Sequence, residues 1–99
     1  MAEEVMKFVS DVKKNFTGAK VLLFGSRAKG NARRGSDYDF IIISKKFKKI
    51  DFVDRAYEVW KKTNAIITAG LLCYSPDEIE KTAKKSLVLQ DALKYAVSV

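Results

Sequence analysis

The chain has 99 residues, with 47% hydrophobic and 31% charged residues and a formal net charge of +7. This length predicts one domain, residues 1–99, with a single core, and the composition is typical of a folded protein rather than a disordered or membrane-spanning one. Histidine is absent and cysteine occurs once, which excludes histidine catalysis, cysteine–histidine zinc sites and internal disulfides. The positive charge favours polyanionic partners, either nucleotides or nucleic acid.

The first part of the chain alternates helical and strand patterns. Apolar residues at helical spacing predict a helix over 2–16, and the apolar run that follows predicts a short buried strand over 20–24. A second strand is predicted over 37–44, then a basic turn over 44–50 and a helix over 51–62 that Asp51 caps. The apolar stripe of this helix is predicted to face the core and consists of Val53, Ala56, Tyr57 and Trp60.

The remaining elements are a strand and two helices. Residues 64–74 predict a third strand, interrupted at 69–70, in which the lone cysteine is a buried apolar residue. Ser75 and Glu78 form a capping box at the start of the next helix, and a last helix is predicted over 87–97. The element order predicts an α/β (α+β) fold, with a small mixed sheet of three to four strands backed by helices.

Gly25 and Ser26 lie at the end of the first strand, where a helix can begin. Exposed amides at a helix start, together with a serine hydroxyl, make a cradle for phosphate. The same pair is also ordinary turn chemistry, and serine is a common helix cap. Both interpretations are open for this pair alone.

Asp37 and Asp39 alternate along the second strand, so their side chains leave the same face about 6.6 Å apart. Two neighbouring carboxylates repel each other unless a cation lies between them, and Mg²⁺ prefers such oxygen ligands. The alternative places Asp37 in a turn and Asp39 at an exposed strand end, although Asp39 directly precedes the apolar run FIII.

Together, GSRAKG, NARRG, SDYDF and III resemble the signature of the polymerase-β-like nucleotidyltransferase superfamily. The later YSPDEIE and LQDALKYAVSV resemble, more loosely, the small members called minimal nucleotidyltransferases, some of which are antitoxins. The resemblance implies the polymerase-β-like fold, with Mg²⁺ as cofactor held by the catalytic residues Asp37 and Asp39. It also implies a nucleotide-binding set, Gly25, Ser26, Arg27, Lys29 and Ser36.

A third carboxylate, which the family usually carries on the next strand, is missing from this sequence. Its position falls near Gly70, and no aspartate or glutamate occurs between Glu58 and Asp77. Glu78 is better explained as a capping residue. Removal of the proton from an acceptor hydroxyl therefore has no obvious agent.

The resemblance predicts transfer of a nucleotidyl group, AMP from ATP, to an acceptor hydroxyl on a HEPN-type ribonuclease toxin. One alternative is an inactive or weakly active relative that neutralises its partner by binding alone. A second is a basic nucleic-acid-binding module in which Phe47 stacks on bases and paired basic residues track the backbone. These pairs are Arg33-Arg34, Lys45-Lys46, Lys48-Lys49, Lys61-Lys62 and Lys84-Lys85.

No apolar run reaches the roughly 20 residues that span a bilayer, and the first residues lack the basic and apolar regions of a secretion signal. We therefore expect a cytoplasmic protein with no membrane partner.

Overall fold

A sheet of four strands with helices against it organises the computed structural model, which describes residues 2–30, 37–64 and 67–99. The elements in chain order are α1 Glu3–Asn15, β1 Lys20–Phe24, α2 Ser26–Lys29, β2 Tyr38–Ile43, a 3₁₀ helix Lys45–Lys49, α3 Phe52–Lys61, β3 Ala69–Tyr74, α4 Pro76–Lys85, α5 Leu87–Tyr95 and β4 Val97–Ser98. None of the helices within these described ranges is long and apolar enough to cross a bilayer.

The strand order in the sheet is β3-β2-β1-β4. β1 pairs antiparallel with both β2 and β4, whereas β3 is parallel to β2. The register places Asp39 opposite Phe24 on one side and opposite Gly70 on the other. The end of β1 and the beginnings of β2 and β3 therefore lie side by side at the same end of the strands. This mixed sheet with its helices confirms the predicted fold class.

The core lies mainly between α1 and one face of the sheet. Phe8, Val12 and Phe16 of this first segment are 0% exposed and pack with β1, β2 and α3. On β2, Phe40 belongs to this cluster, while its neighbour Ile41 is equally buried outside it. Since successive strand residues point to opposite faces, β2 is covered on both sides, as its unbroken apolar sequence predicts.

The end of the chain differs from the prediction. The last helix ends at Tyr95, and Val97–Ser98 form β4 against the outer edge of β1. The amide of Val99 continues this pairing by donating to the carbonyl of Val21 at 3.0 Å. Extending the helix would leave the edge groups of β1 without these partners, and the β-branched valines suit a strand.

The boundaries of β3 and the helix caps also differ in part. β3 begins at Ala69, so residues 69–70 start the strand rather than interrupt it. The predicted capping box is confirmed, since Ser75 and Glu78 each accept a hydrogen bond from the other's backbone amide. Asp51 occupies the N-cap position of α3, but its side chain makes no capping hydrogen bond.

The predicted core stripe of α3 is wrong for two residues. Val53 is 85% and Tyr57 66% exposed, whereas Arg55 is only 4% exposed. The buried guanidinium donates to Glu78 at 2.6 and 3.0 Å and to the carbonyl of Cys73 at 3.1 Å. These bonds turn the Arg55 side of α3 inward, because a buried charge requires partners. Trp60 packs against the core as predicted.

Candidate active site

The Gly25 turn begins directly after β1. Gly25 has φ +73° and ψ −155°, a conformation that side-chain-bearing residues rarely adopt, and Ser26 is the first residue of α2. The carbonyl of Gly25 accepts from the amides of Ala28 and Lys29, each at 3.1 Å. A sharp turn thus places Ser26 at the helix start, where the first amides have no partner within the helix.

Asp39 lies between two glycines that belong to neighbouring strands. A Cβ atom added to Gly25 would lie 2.6 Å from Oδ2 of Asp39, and one added to Gly70 would lie 3.1 Å from Oδ1. Both distances are shorter than ordinary van der Waals contact, so the carboxylate fits against bare backbone on both sides. A side chain at residue 25 would clash with the carboxylate, whereas one at residue 70 would require the carboxylate to shift by only a few tenths of an ångström.

The electrostatic environment of Asp39 disfavours its charged form. Burial raises the pKa of the Asp39 carboxyl above its usual range, and the nearby charge of Asp37 raises it further. Within the described ranges, no hydrogen bond or ion pair to either carboxylate is found. The pair therefore presents concentrated negative charge without a cationic side chain from the described residues.

These two residues fit a magnesium ion incompletely. The repulsion that raises the pKa of Asp39 is the repulsion that a divalent cation would relieve, and carboxylate oxygens suit Mg²⁺. No third histidine, cysteine, aspartate or glutamate joins a metal-binding group among the described residues. The spot predicted for a third carboxylate is Gly70, directly beside Asp39 in the sheet. The described residues thus offer two candidate carboxylate ligands here, without a third.

The basic residues of the turn are held by other parts of the structure. The guanidinium carbon of Arg27 lies 4.2 Å from the ring centre of Tyr38. The ammonium of Lys29 lies 3.5 Å from Asp91 Oδ2 and 4.9 Å from the ring centre of Tyr95. A phosphate contact from Lys29 would compete with these contacts on α5. No local sequence pattern predicts this involvement of α5, because Asp91 and Tyr95 are distant from Lys29 in the chain.

The other predicted site residues divide into three groups. Ser36 and the pair Arg33-Arg34 lie outside the described residues. Phe47 is 0% exposed, so the prediction that it stacks on bases is wrong; a ring packed against Phe16 cannot receive a base. Cys73 is buried as predicted, and burial raises the pKa of its thiol to about 12, which makes it a poor nucleophile.

Comparison with known proteins supports the family resemblance and the fold. Residues 5–99 match the family profile described as a nucleotidyltransferase domain. The crystal structure of a proposed nucleotidyltransferase from Sulfolobus solfataricus aligns with a TM-score of 0.64 at 25% sequence identity, covering 80% of this chain and 70% of that chain. A search of curated proteins gives no match. The matched range contains the Gly25 turn, both carboxylates and Gly70.

Proposed function

This chain belongs to the nucleotidyltransferase domain family, and from that premise we propose that it transfers a nucleotidyl group, AMP from ATP, to an acceptor hydroxyl, with pyrophosphate as the leaving group. The observation that carries the proposal is the contact between the Gly25 turn and Asp39 at one end of the neighbouring strands β1 and β2. A cradle for phosphate beside paired carboxylates is the arrangement that phosphoryl chemistry requires, since this chemistry depends on positioning and on charge neutralisation.

Each part of the site has a separate task in this proposal. The backbone of the Gly25 turn and the hydroxyl of Ser26 bind the phosphates of the nucleotide, and Arg27 adds positive charge beside them. Asp37 and Asp39 hold Mg²⁺, which supplies neutralisation of the triphosphate charge when it is bound. Ser36 is proposed to contribute to nucleotide binding on the strength of the sequence resemblance.

The acceptor is proposed to be a hydroxyl on a helical protein partner of the HEPN type. Support comes from the sequence resemblance to the small antitoxin members of the superfamily.

A second candidate is nucleotide and partner binding without efficient transfer. Gly70 favours it, because the residue beside Asp39 offers no carboxylate to hold metal or to accept the proton of the attacking hydroxyl. In this case the chain neutralises its partner through complex formation alone.

Labelled ATP distinguishes the two candidates. The protein is incubated with Mg²⁺, ATP labelled on the α-phosphate and the product of the neighbouring gene, the candidate partner. Transfer predicts label on the partner, and Asp37→Asn should abolish it. Asp54→Asn removes the same charge from an exposed position on α3 and serves as the matched control. A stable complex that carries no label would refute transfer and favour the binding candidate.

A further inference from the structure

A groove lined by lysines lies at the end of the sheet opposite to the Gly25 turn. It has a volume of about 500 Å³ and lies between the end of α1, the 3₁₀ helix and the end of α3. Its lining residues are Phe16, Lys45, Lys46, Lys49, Ile50 and Lys62. β2 separates this groove from Asp39, and the four steps from Asp39 to Ile43 span about 13 Å. We call this surface the lysine groove.

Two of the four groove lysines place their ammonium groups near one aromatic ring. Lys46 Nζ lies 5.9 Å and Lys62 Nζ 5.1 Å from the centre of the Phe16 ring. Lys46 also donates a hydrogen bond to the carbonyl of Asn15 at 2.9 Å. Phe16 is 0% exposed and fixed in the core, so two like charges from distant segments are held over one rigid support.

None of the groove lysines forms an ion pair with a carboxylate within the described ranges, although an adjoining concavity that shares Lys49 and Ile50 is lined by Asp51, Asp54 and Glu58. The lysine ion pairs found within the described ranges involve Lys29, Lys48 and Lys61, none of which lines the groove. Residues 1, 31–36 and 65–66, which lie outside the described ranges, include no aspartate or glutamate. The ammonium groups of the four groove lysines are therefore not neutralised by direct ion pairs with described residues, and the acidic residues lie beyond Lys49 on one side of the groove.

The positive surface is longer than a single phosphate. A second concave region of about 520 Å³ adjoins the lysine groove, shares Lys45 with it and adds Lys20. Its lining residues also include no aspartate or glutamate. A row of ammonium groups across two adjoining concavities fits a linear polyanion better than a small isolated anion.

We propose that the lysine groove binds the phosphodiester backbone of nucleic acid, at a site separate from the Gly25 turn. Lysine ammonium groups act as point charges toward phosphates and do not read bases. Protein interfaces are depleted in lysine and enriched in arginine and exposed aromatic residues, so an acidic protein fits this surface less well. With Phe16 and Phe47 both 0% exposed, binding does not depend on base stacking in the groove and is insensitive to sequence. The proposal does not depend on nucleotidyl transfer.

The test is fluorescence anisotropy with labelled single strands of RNA and DNA, about 20 nucleotides long and of mixed sequence. Neutralising four or five phosphates predicts a slope of about −3 for the logarithm of the association constant against that of salt concentration. The variant K46E/K62E should weaken binding by at least about tenfold for both strands. Its matched control is K84E/K85E, which makes the same charge change on exposed residues at the end of α4 and should cost less than about threefold.

Four results would overturn the proposal. No binding to either strand at low salt would exclude a nucleic-acid site. Equal losses in the two double variants, with both folded by circular dichroism, would show a response to net charge alone. Competition by polyglutamate as effective as that by unlabelled RNA would favour an acidic protein partner instead. Tighter RNA binding by Asp37→Asn would place the strand at the Gly25 turn, whereas an unchanged affinity supports the separate site.

Discussion

Replacing Glu78 by glutamine tests whether the ion pair between α3 and α4 stabilises the fold. The Arg55 side chain is 5% exposed and that of Glu78 39% exposed, with 2.6 Å between their nearest charged atoms. Hydrogen bonds from Arg55, together with the amide of Ser75, lower the pKa of Glu78 from 4.5 to about 2. At full strength this lowering corresponds to about 3 kcal/mol of folding stability. Screening at the exposed side of Glu78 reduces it to about 1–2 kcal/mol.

Glu78→Gln should therefore lower the free energy of unfolding at neutral pH by about 2 kcal/mol, because it also leaves the Arg55 guanidinium buried without a charged partner. For a domain of this size, that change lowers Tm by about 10 °C. The stabilisation from a depressed carboxyl pKa is present above 4.5 and is lost as the pH falls toward 2. The difference in free energy of unfolding between the variant and the native chain should therefore become smaller as the pH falls from 4.5 toward 2.

Urea unfolding followed by the fluorescence of Trp60, the only tryptophan, measures this difference at each pH. Glu80→Gln removes the same charge from an exposed position on α4 and should change stability by less than about 0.5 kcal/mol. The reasoning fails if the two variants are equally stable at neutral pH, or if the deficit of Glu78→Gln is as large at pH 2 as at pH 7.

Further predictions concern the candidate active site and the lone thiol. Gly25→Ala places a Cβ atom at φ +73° and 2.6 Å from Asp39 Oδ2, so urea unfolding should show that the free energy of unfolding falls by at least about 1–2 kcal/mol. Calorimetry should show a loss of nucleotide binding, and native-like stability would contradict this. Because burial and Asp37 raise the pKa of Asp39, Asp39→Asn should increase the free energy of unfolding of the Mg²⁺-free protein at pH 7. This increase should vanish well below pH 3.8, and a destabilised variant at pH 7 would count against the reasoning. Gly70→Asp adds a carboxylate beside Asp39, so calorimetry should show that Mg²⁺ binds at least about tenfold more tightly. An unchanged affinity would argue against residue 70 as the missing ligand position. Cys73, 2% exposed and with a pKa of about 12, should react with thiol reagents only after unfolding, and rapid labelling of the native protein would contradict its burial.

Local patterns in the sequence predict β1 and the capping box of α4 well. A run of apolar residues between glycines defines β1, and the spacing of Ser75 and Glu78 specifies the capping box that the structure contains. Both features depend on neighbouring residues only. The mixed α/β class follows for the same reason, since the order of local elements restricts the possible layers.

Features that depend on distant segments were predicted poorly. Val53 and Tyr57 have the helical spacing of core residues. The ion pair between Arg55 and Glu78 nevertheless determines which side of α3 is buried. β4 forms only because β1 has an open edge, which the residues of β4 do not reveal. The site was predictable in part, since counting along the chain locates Gly70, whereas its contact with Asp39 requires the sheet register.

The close packing of the Asp39 carboxylate between Gly25 and Gly70 depends on the order in which the strands pair during folding. Phe24 and Asp39 are brought together by a short connection between antiparallel neighbours. Gly70 reaches Asp39 only after the parallel pairing with β3, which requires the whole crossover through α3 and a more costly loop closure. The carboxylate can therefore be enclosed only after β3 has paired with β2. A chain that lacks this pairing has the turn and both acidic residues but not the assembled site, so ligand binding there reports that β2 and β3 have paired.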